Sequence, residues 1–399
     1  MSTVNITNSD SRRASAVLLL SLTALTWYVY SLARMLVPSI LPCLRREFNL
    51  ETWQLGLTLT AFSLPYALMQ LPSGVLSDRL GHKNLIVAGL VASSIGSLMM
   101  GIASNYRGVL FSRFITGLGQ GTLFAPSMAL LMEHFPQQHR GKSVSIYGVS
   151  INLGRICAPL LVGLLLRNYG WRAMFVMIAF SELIIASIFW RCIKEQRPYS
   201  RASASSLKSI KGLLSRTALA LITLYLANIW VQTVTLFVPA YLVERIGMDV
   251  ADANFTYSII PITGLFSMLI AGLLSDRFSR GNVIVFFQLV NALLISLIAF
   301  SDTPSEASVL FVIYGILSAI PSVALFALYG DICPSEARGA AFGFLNLVGM
   351  LIGRSVAPLI IGYVIDLVGY KITLMMFPAV ISVAGIIPFL LFSRSYVKG

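Results

Sequence analysis

Long apolar runs alternate with short clusters of charge, glycine and proline along the whole chain. The runs fall at roughly 15–43, 52–77, 84–104, 107–132, 142–166, 172–191, 215–242, 253–275, 282–300, 307–330, 339–365 and 371–393. A hydrocarbon core about 30 Å thick takes roughly 20 apolar residues in an α-helix, so the pattern predicts twelve membrane-spanning helices joined by short loops. The first run follows Arg12 and Arg13, continues for about 27 residues and has no small-residue cleavage site. It is therefore expected to be a first span and not a removable signal peptide.

Composition agrees with this pattern. Of 399 residues, 57% are hydrophobic and 11% charged, with a mean hydropathy of +0.81, far from the balance of a soluble domain. Twelve spans leave little chain for a nucleotide-binding cassette or an extramembrane enzyme, so channels, transporters and integral-membrane enzymes remain. The cysteines Cys43, Cys157, Cys192 and Cys333 are widely separated, and His82, His134 and His139 have no second ligand at metal spacing. No disulfide framework, metal site or cofactor is expected, and the three histidines are read as surface residues at the ends of spans. No phosphate-binding glycine loop and no nucleophile–base pairing is placed by spacing, so enzyme chemistry has no support.

The net charge is +13, and its distribution matters more than its size. The charges lie between apolar runs instead of forming a basic stripe interleaved with aromatics, so nucleic acid is not an expected partner. With the N-terminus placed in the cytoplasm, 18 Lys and Arg fall inside and seven outside, and the remaining four of the 29 are Arg34, Arg113, Arg155 and Arg354, within spans. This bias predicts a multi-pass protein of the cell (inner) membrane with both termini cytoplasmic.

Seven basic residues and a Ser-rich stretch occupy Arg191 to Arg216. They predict a six-helix half at 1–192, a basic cytoplasmic linker at 193–214 and a second six-helix half at 215–399. The halves repeat. Gly74-x-Leu76-Ser77-Asp78-Arg79 returns 198 residues later as Gly272-x-Leu274-Ser275-Asp276-Arg277, and Gly154-Arg155-x-x-Ala158-Pro159 returns 199 later as Gly353-Arg354-x-x-Ala357-Pro358. An even number of spans per half makes them parallel repeats about an axis along the membrane normal.

The loop Gly74-Val75-Leu76-Ser77-Asp78-Arg79-Leu80-Gly81-His82-Lys83 resembles the signature loop of the major facilitator superfamily, with a weaker copy after the eighth span. The resemblance covers almost the whole chain. It implies an all-α integral membrane fold of twelve helices in two six-helix repeats. Gly74 is expected to permit close helix contact and Gly81 a tight turn, while Asp78 and Arg79 form a conformational latch with Asp276 and Arg277 as its second copy. Ser279 stands where that copy would have its turn glycine.

Four intramembrane arginines stand against one intramembrane acid, Glu182. Such charges cost about 2.5–3.5 kcal/mol each on insertion scales and persist where they face a cavity or a partner. Arg155 and Arg354 occupy equivalent places in the repeats and are expected near a central pathway, where guanidinium groups hold carboxylate or phosphate bidentately. The alternative for each is a structural bond to helix carbonyls or to Glu182. The segments around Tyr30-x-x-x-Arg34 and Arg113-x-x-x-Gly117-x-Gly119-Gln120-Gly121 resemble the organic-anion symporter branch of the superfamily, which implies anion recognition by Arg34 and Arg113. Ala33 and Gln120 stand where that branch carries acids, leaving Glu182 as the coupling candidate or as the partner of an arginine. Tyr30, Asn152, Asn228 and Gln232 are the polar candidates, with Asn228 and Gln232 on one helical face in the counterpart of the Arg34 region; each could equally join helices.

These features point to a secondary or facilitative transporter of a small organic anion, a carboxylate or phosphate ester. The expected partners are the anionic solute, a coupling proton or counter-anion and the lipid bilayer, with a monomer as the working unit. A proton-coupled drug or metabolite exporter of the same fold is the alternative, disfavoured for cationic drugs by the scarcity of cavity acids. A non-transporting sensor is the more distant one.

Overall fold

The computed structural model describes residues 3–193, 216–332 and 338–392. Nearly all of the linker expected at 193–214 lies outside the described residues, as do Arg394 and Lys398. The described residues are helical almost throughout and contain no strand. In chain order the helices are α1 (Thr3–Phe48), α2 (Thr52–Leu80), α3 (His82–Gly101), α4 (Tyr106–Gly121), α5 (Phe124–His134), α6 (Gln137–Cys192), α7 (Arg216–Val234), α8 (Val238–Glu244), α9 (Val250–Arg277), α10 (Arg280–Ile298), α11 (Pro304–Ser318), α12 (Ile320–Ile332), α13 (Arg338–Val348) and α14 (Ala357–Phe392).

Among the described residues, nine stretches are long and apolar enough to cross a membrane, two of them 54 and 51 residues long. Each of these two turns at a glycine, Gly170 with φ 70° and Gly369 with φ 81°. The two glycines are 199 residues apart, so the repeat read in the sequence reappears in backbone conformation. A β-carbon would be strained at that φ, which is why glycine punctuates both helix pairs.

Several predicted spans are broken where an unbroken helix was expected. Chain 107–132 divides into α4 and α5 after Gly121, and chain 307–330 into α11 and α12 around Ala319. Between α7 and α8 runs a 3-10 turn, Thr235–Phe237, just before Pro239. Between α13 and α14, Gly349–Val356 is π-helical. Periodicity reports the apolar face of a helix and not its pitch, so these breaks left no mark on the hydropathy pattern.

By contacts over the described residues, the chain gathers into two compact units. Unit 1 comprises Met1–Val37, Pro65–Leu161 and Leu165–Arg201; unit 2 comprises Pro38–Leu64, Val162–Leu164 and Ala202–Gly399. In unit 1, glycines let α3 and α4 approach closely: a β-carbon on Gly119 would lie 2.5 Å from the Ser93 nitrogen and 2.6 Å from the Gly89 oxygen. In unit 2 the core is built from Leu221, Leu224, Ile284, Leu325, Leu345 and Phe389. Large apolar side chains such as Phe266, Leu269 and Leu273 of α9 remain exposed, as helix surfaces facing lipid do.

Candidate functional site

In unit 1, the helical period puts Trp27, Tyr30 and Arg34 of α1 along one side. Arg34 Nη1 donates to the Tyr30 hydroxyl at 3.0 Å. Tyr30 stacks on Tyr66 with ring centroids 5.8 Å apart, and the Arg34 guanidinium lies 6.0 Å from the Tyr66 centroid. Trp27 meets Tyr30 at 4.7 Å and Tyr147 at 4.8 Å, edge to face. The guanidinium therefore sits on a wall of aromatic rings that favours a cation and offers a hydroxyl acceptor.

Arg113 and Glu182 are buried, only 2% and 1% exposed. Arg113 is within electrostatic reach of both Arg34 and Glu182. Glu182 accepts three hydrogen bonds: from Ser93 Oγ at 2.5 Å and Gln120 Nε2 at 3.2 Å on one oxygen, and from Ser97 Oγ at 3.0 Å on the other. Gln120 Nε2 also donates to Ser93 Oγ at 3.1 Å. The close approach of α3 and α4 at Gly119 sets the serines beside Gln120. Glu182 is thus a carboxylate near an arginine and directly held by neutral donors. Ser93 and Ser97 escaped the sequence reading, although their spacing of four on one helix face was a usable signal.

Unit 2 has a neutral counterpart. Gln232 Nε2 donates to Asn228 Oδ1 at 2.9 Å and to Ser322 Oγ at 2.9 Å, and Ser322 donates to Asn228 Oδ1 at 2.7 Å. Asn228 Nδ2 donates to Gln288 Oε1 at 2.8 Å, and Gln288 Nε2 to Ser382 Oγ at 3.1 Å. Gln232 is the repeat equivalent of Arg34, and Asn228 of Tyr30, at a spacing of 198. Each pair is internally hydrogen-bonded, one charged and one neutral. Gln288, Ser322 and Ser382 sit singly in apolar runs, which gave the sequence no pattern to report.

Arg354 is half-buried in the π-helical segment, within electrostatic reach of Tyr225. Gly349 and Gly353 of that segment face Tyr225 and Ile229 so closely that a β-carbon would come within 2.5 Å and 2.8 Å of them. Arg155 is exposed on α6, and Asn152 donates to the Gly148 carbonyl of its own helix at 3.0 Å.

The loop residues Asp78, Arg79, Asp276 and Arg277 are exposed. Gly81 adopts φ 92° at the start of α3, the turn expected of it, whereas Ser279 adopts φ −53° and needs no glycine. Gly74 departs from expectation: among the described residues a β-carbon there would meet nothing within 4 Å, so it mediates no close helix contact with any of them. His82 is also corrected, from a surface residue to one 6% exposed. Its Nδ1 meets Ser77 Oγ at 2.5 Å and its Nε2 meets Glu133 at 3.1 Å, because the turn at Gly81 folds the start of α3 back on the end of α2.

The sequence matches the Major Facilitator Superfamily profile over residues 22–358 and again over 262–398. The chain belongs to the major facilitator superfamily. Membership makes it a multi-pass membrane transporter and not an enzyme. It is 24% identical over 393 residues to a probable galactarate/D-glucarate transporter, GudP, of Bacillus subtilis, covering 87% of this chain and 85% of that one. It is 26% identical over 371 residues to the cis,cis-muconate transport protein of Acinetobacter baylyi, covering 89% of each. A probable hexose phosphate transport protein of Chlamydia trachomatis is 26% identical over 345 residues, covering 76% of this chain and 75% of the other. Among solved structures, a bacterial homologue of the human lysosomal transporter Spinster, described as inward-facing and unoccupied, aligns with a TM-score of 0.84 at 18% identity over 96% of this chain and 98% of the other. A D-xylose–proton symporter aligns with a TM-score of 0.71 at 17% identity over 94% and 96%. At these identities the structural likeness concerns the fold.

Proposed function

We propose that this facilitator carries a small organic anion, a carboxylate or a phosphate ester, across the cell (inner) membrane by alternating access. The observation that carries this reading is the charge of its spans, four arginines against the single acid Glu182. Arg34 on its aromatic wall and Arg354 in the π-helical segment are the anion-binding groups, with Arg155 and Arg113 contributing positive charge. Asn228 and Gln232 supply neutral hydrogen-bonding capacity for the rest of the solute. Relatives named for galactarate or D-glucarate, cis,cis-muconate and hexose phosphate support the anion class.

Glu182 is the coupling group in this proposal. It is buried, it lies near Arg113, and the donors around it suit an acceptor-only carboxylate. The anion engages the positive charge of Arg34 and Arg113, and Glu182 carries the proton. Anion and proton then travel together. Both termini lie in the cytoplasm, as the distribution of Lys and Arg supports.

The test is transport into liposomes containing only this protein, with mono- and dicarboxylates, sugar acids and phosphate esters, and thermal stabilisation by the same compounds. One anion class is expected to be transported and to stabilise the protein, with both effects lost in Arg34→Gln and Arg354→Gln. Stabilisation by cationic or neutral lipophilic compounds, unchanged in these variants, would overturn the proposal in favour of export of such compounds.

A further inference from the structure

The boundaries of unit 2 cut the first two helices inside their apolar stretches, and both cuts fall at prolines. Residues 38–64 gather with unit 2, while the chain before Pro38 and that from Pro65 to Leu161 gather with unit 1. Pro38 lies inside α1 and Pro65 inside α2. A proline within a helix has no N–H for the i→i−4 bond, so each helix is weakened where its allegiance changes, as it is again at Pro42 and Pro72.

Within unit 2 the hairpin formed by residues 38–64 is fastened at three depths. At its tip, Asp366 accepts from the backbone N–H groups of Thr52 at 2.9 Å and Trp53 at 2.7 Å, the first residues of α2. These N–H groups have no partner inside their own helix, and a carboxylate there also meets the favourable end of the helix dipole. Beside it Arg45 bridges Glu244 at 2.8 Å and Thr52 Oγ1 at 3.1 Å. That ion pair lines an open cavity of about 310 Å³, so water reaches it.

The backbones also nearly touch: at the tip a β-carbon on Gly362 would lie 2.5 Å from the Thr52 oxygen, and one turn further down one on Gly56 would lie 2.2 Å from the Pro358 oxygen. At the inner end, Thr60 Oγ1 donates to the Ser355 carbonyl at 2.6 Å and Ser63 Oγ to the Arg354 carbonyl at 3.1 Å. Those carbonyls belong to the π-helical segment that carries Arg354. A single helix, α2, thus joins the Asp366 contact at its first residues to the backbone of a candidate anion-binding arginine.

We propose that residues 38–64 are a strap hinged at Pro38 and Pro65, and that Asp366 on the N-terminus of α2 is its latch, released and remade in every transport cycle. This rests on the alternating-access reading above, which requires a barrier to part on the face expected to be extracellular. The fastening suits reversible use. Its tip contacts are backbone N–H groups and an ion pair that water can replace, and its middle is glycine against backbone, which parts without stranding a side chain.

The test uses the full chain with its four cysteines changed to serine and Leu59→Cys added as a reporter, since Leu59 is 7% exposed, lies on the helix face of Gly56 and Ser63 and makes none of the fastening hydrogen bonds. Its reaction with a membrane-impermeant thiol reagent is followed in right-side-out vesicles. Asp366→Ala is expected to raise the labelling rate about tenfold, and Asp366→Glu to raise it less. Labelling unaffected by Asp366→Ala would overturn the latch. Pro38→Ala with Pro65→Ala, which favours helix at both bends, is expected to slow anion transport about tenfold while anion-induced thermal stabilisation, which also reports that the variant is folded, persists; transport at the unaltered rate would overturn the hinge. Labelling requires no substrate, so failure to find a transported anion would count against the function alone and leave the latch result standing.

Discussion

At the residue scale, the acid of the sixth span makes the sharpest demand. Glu182 is held by Ser93, Ser97 and Gln120 and lies near Arg113. Glu182→Gln keeps the volume and part of the hydrogen bonding but removes the ionisable group. Exchange of anion for anion is expected to survive in this variant. Net accumulation driven by a pH gradient is expected to vanish, where the unaltered protein under a gradient of about one pH unit, ~1.4 kcal/mol per proton, sustains about tenfold accumulation. A flux assay with an imposed gradient checks this, and undiminished accumulation would remove Glu182 from the coupling step. Ser93→Ala removes the shortest of the three bonds and leaves a buried carboxylate less well satisfied. Thermal unfolding in detergent is expected to register a loss of about 1–3 kcal/mol.

At the element scale, two helical glycines carry opposite expectations. Gly119 sits where α3 and α4 touch, and a β-carbon there would collide with the Ser93 nitrogen and the Gly89 oxygen. Backbone cannot yield as a side-chain tip does, so Gly119→Ala must push the helices apart and disturb the serines around Glu182. A loss of about 1–3 kcal/mol is expected, together with impaired accumulation. Among the described residues nothing packs on Gly74, and Gly74→Ala is expected to leave thermal stability unchanged or raise it by up to about 1 kcal/mol from helix propensity alone. Measuring both melting temperatures in one detergent decides the comparison. A drop at Gly74 as large as at Gly119 would mean that the packing described for α3 and α4 does not control stability.

At the scale of the whole molecule, the distribution of Lys and Arg predicts the orientation. With 18 such residues assigned to one face and seven to the other, a fluorescent protein fused to the C-terminus should fold and emit, and alkaline phosphatase fused there should stay inactive. The reverse result would invert the topology and move the Asp366 strap to the cytoplasmic face.

Apolar run length, the repeat at 198–199 residues and the excess of intramembrane arginine were legible in the chain alone. They follow from the thickness of the bilayer and the energy of placing charge in it, constraints that act on every residue of a span wherever its neighbours lie. So the helical class, the superfamily and the candidates Arg34, Arg113, Arg354 and Glu182 could be read without coordinates. What surrounds them could not. That Glu182 is held by Ser93 and Ser97, that Gln232 is tied to Ser322, that His82 is buried and that Asp366 caps α2 depend on which helix faces meet. Hydropathy is nearly uniform around helices bathed in lipid, so it carries little information about those meetings. Close approach at glycines and local changes of helical pitch decide them, and both are properties of the packed chain.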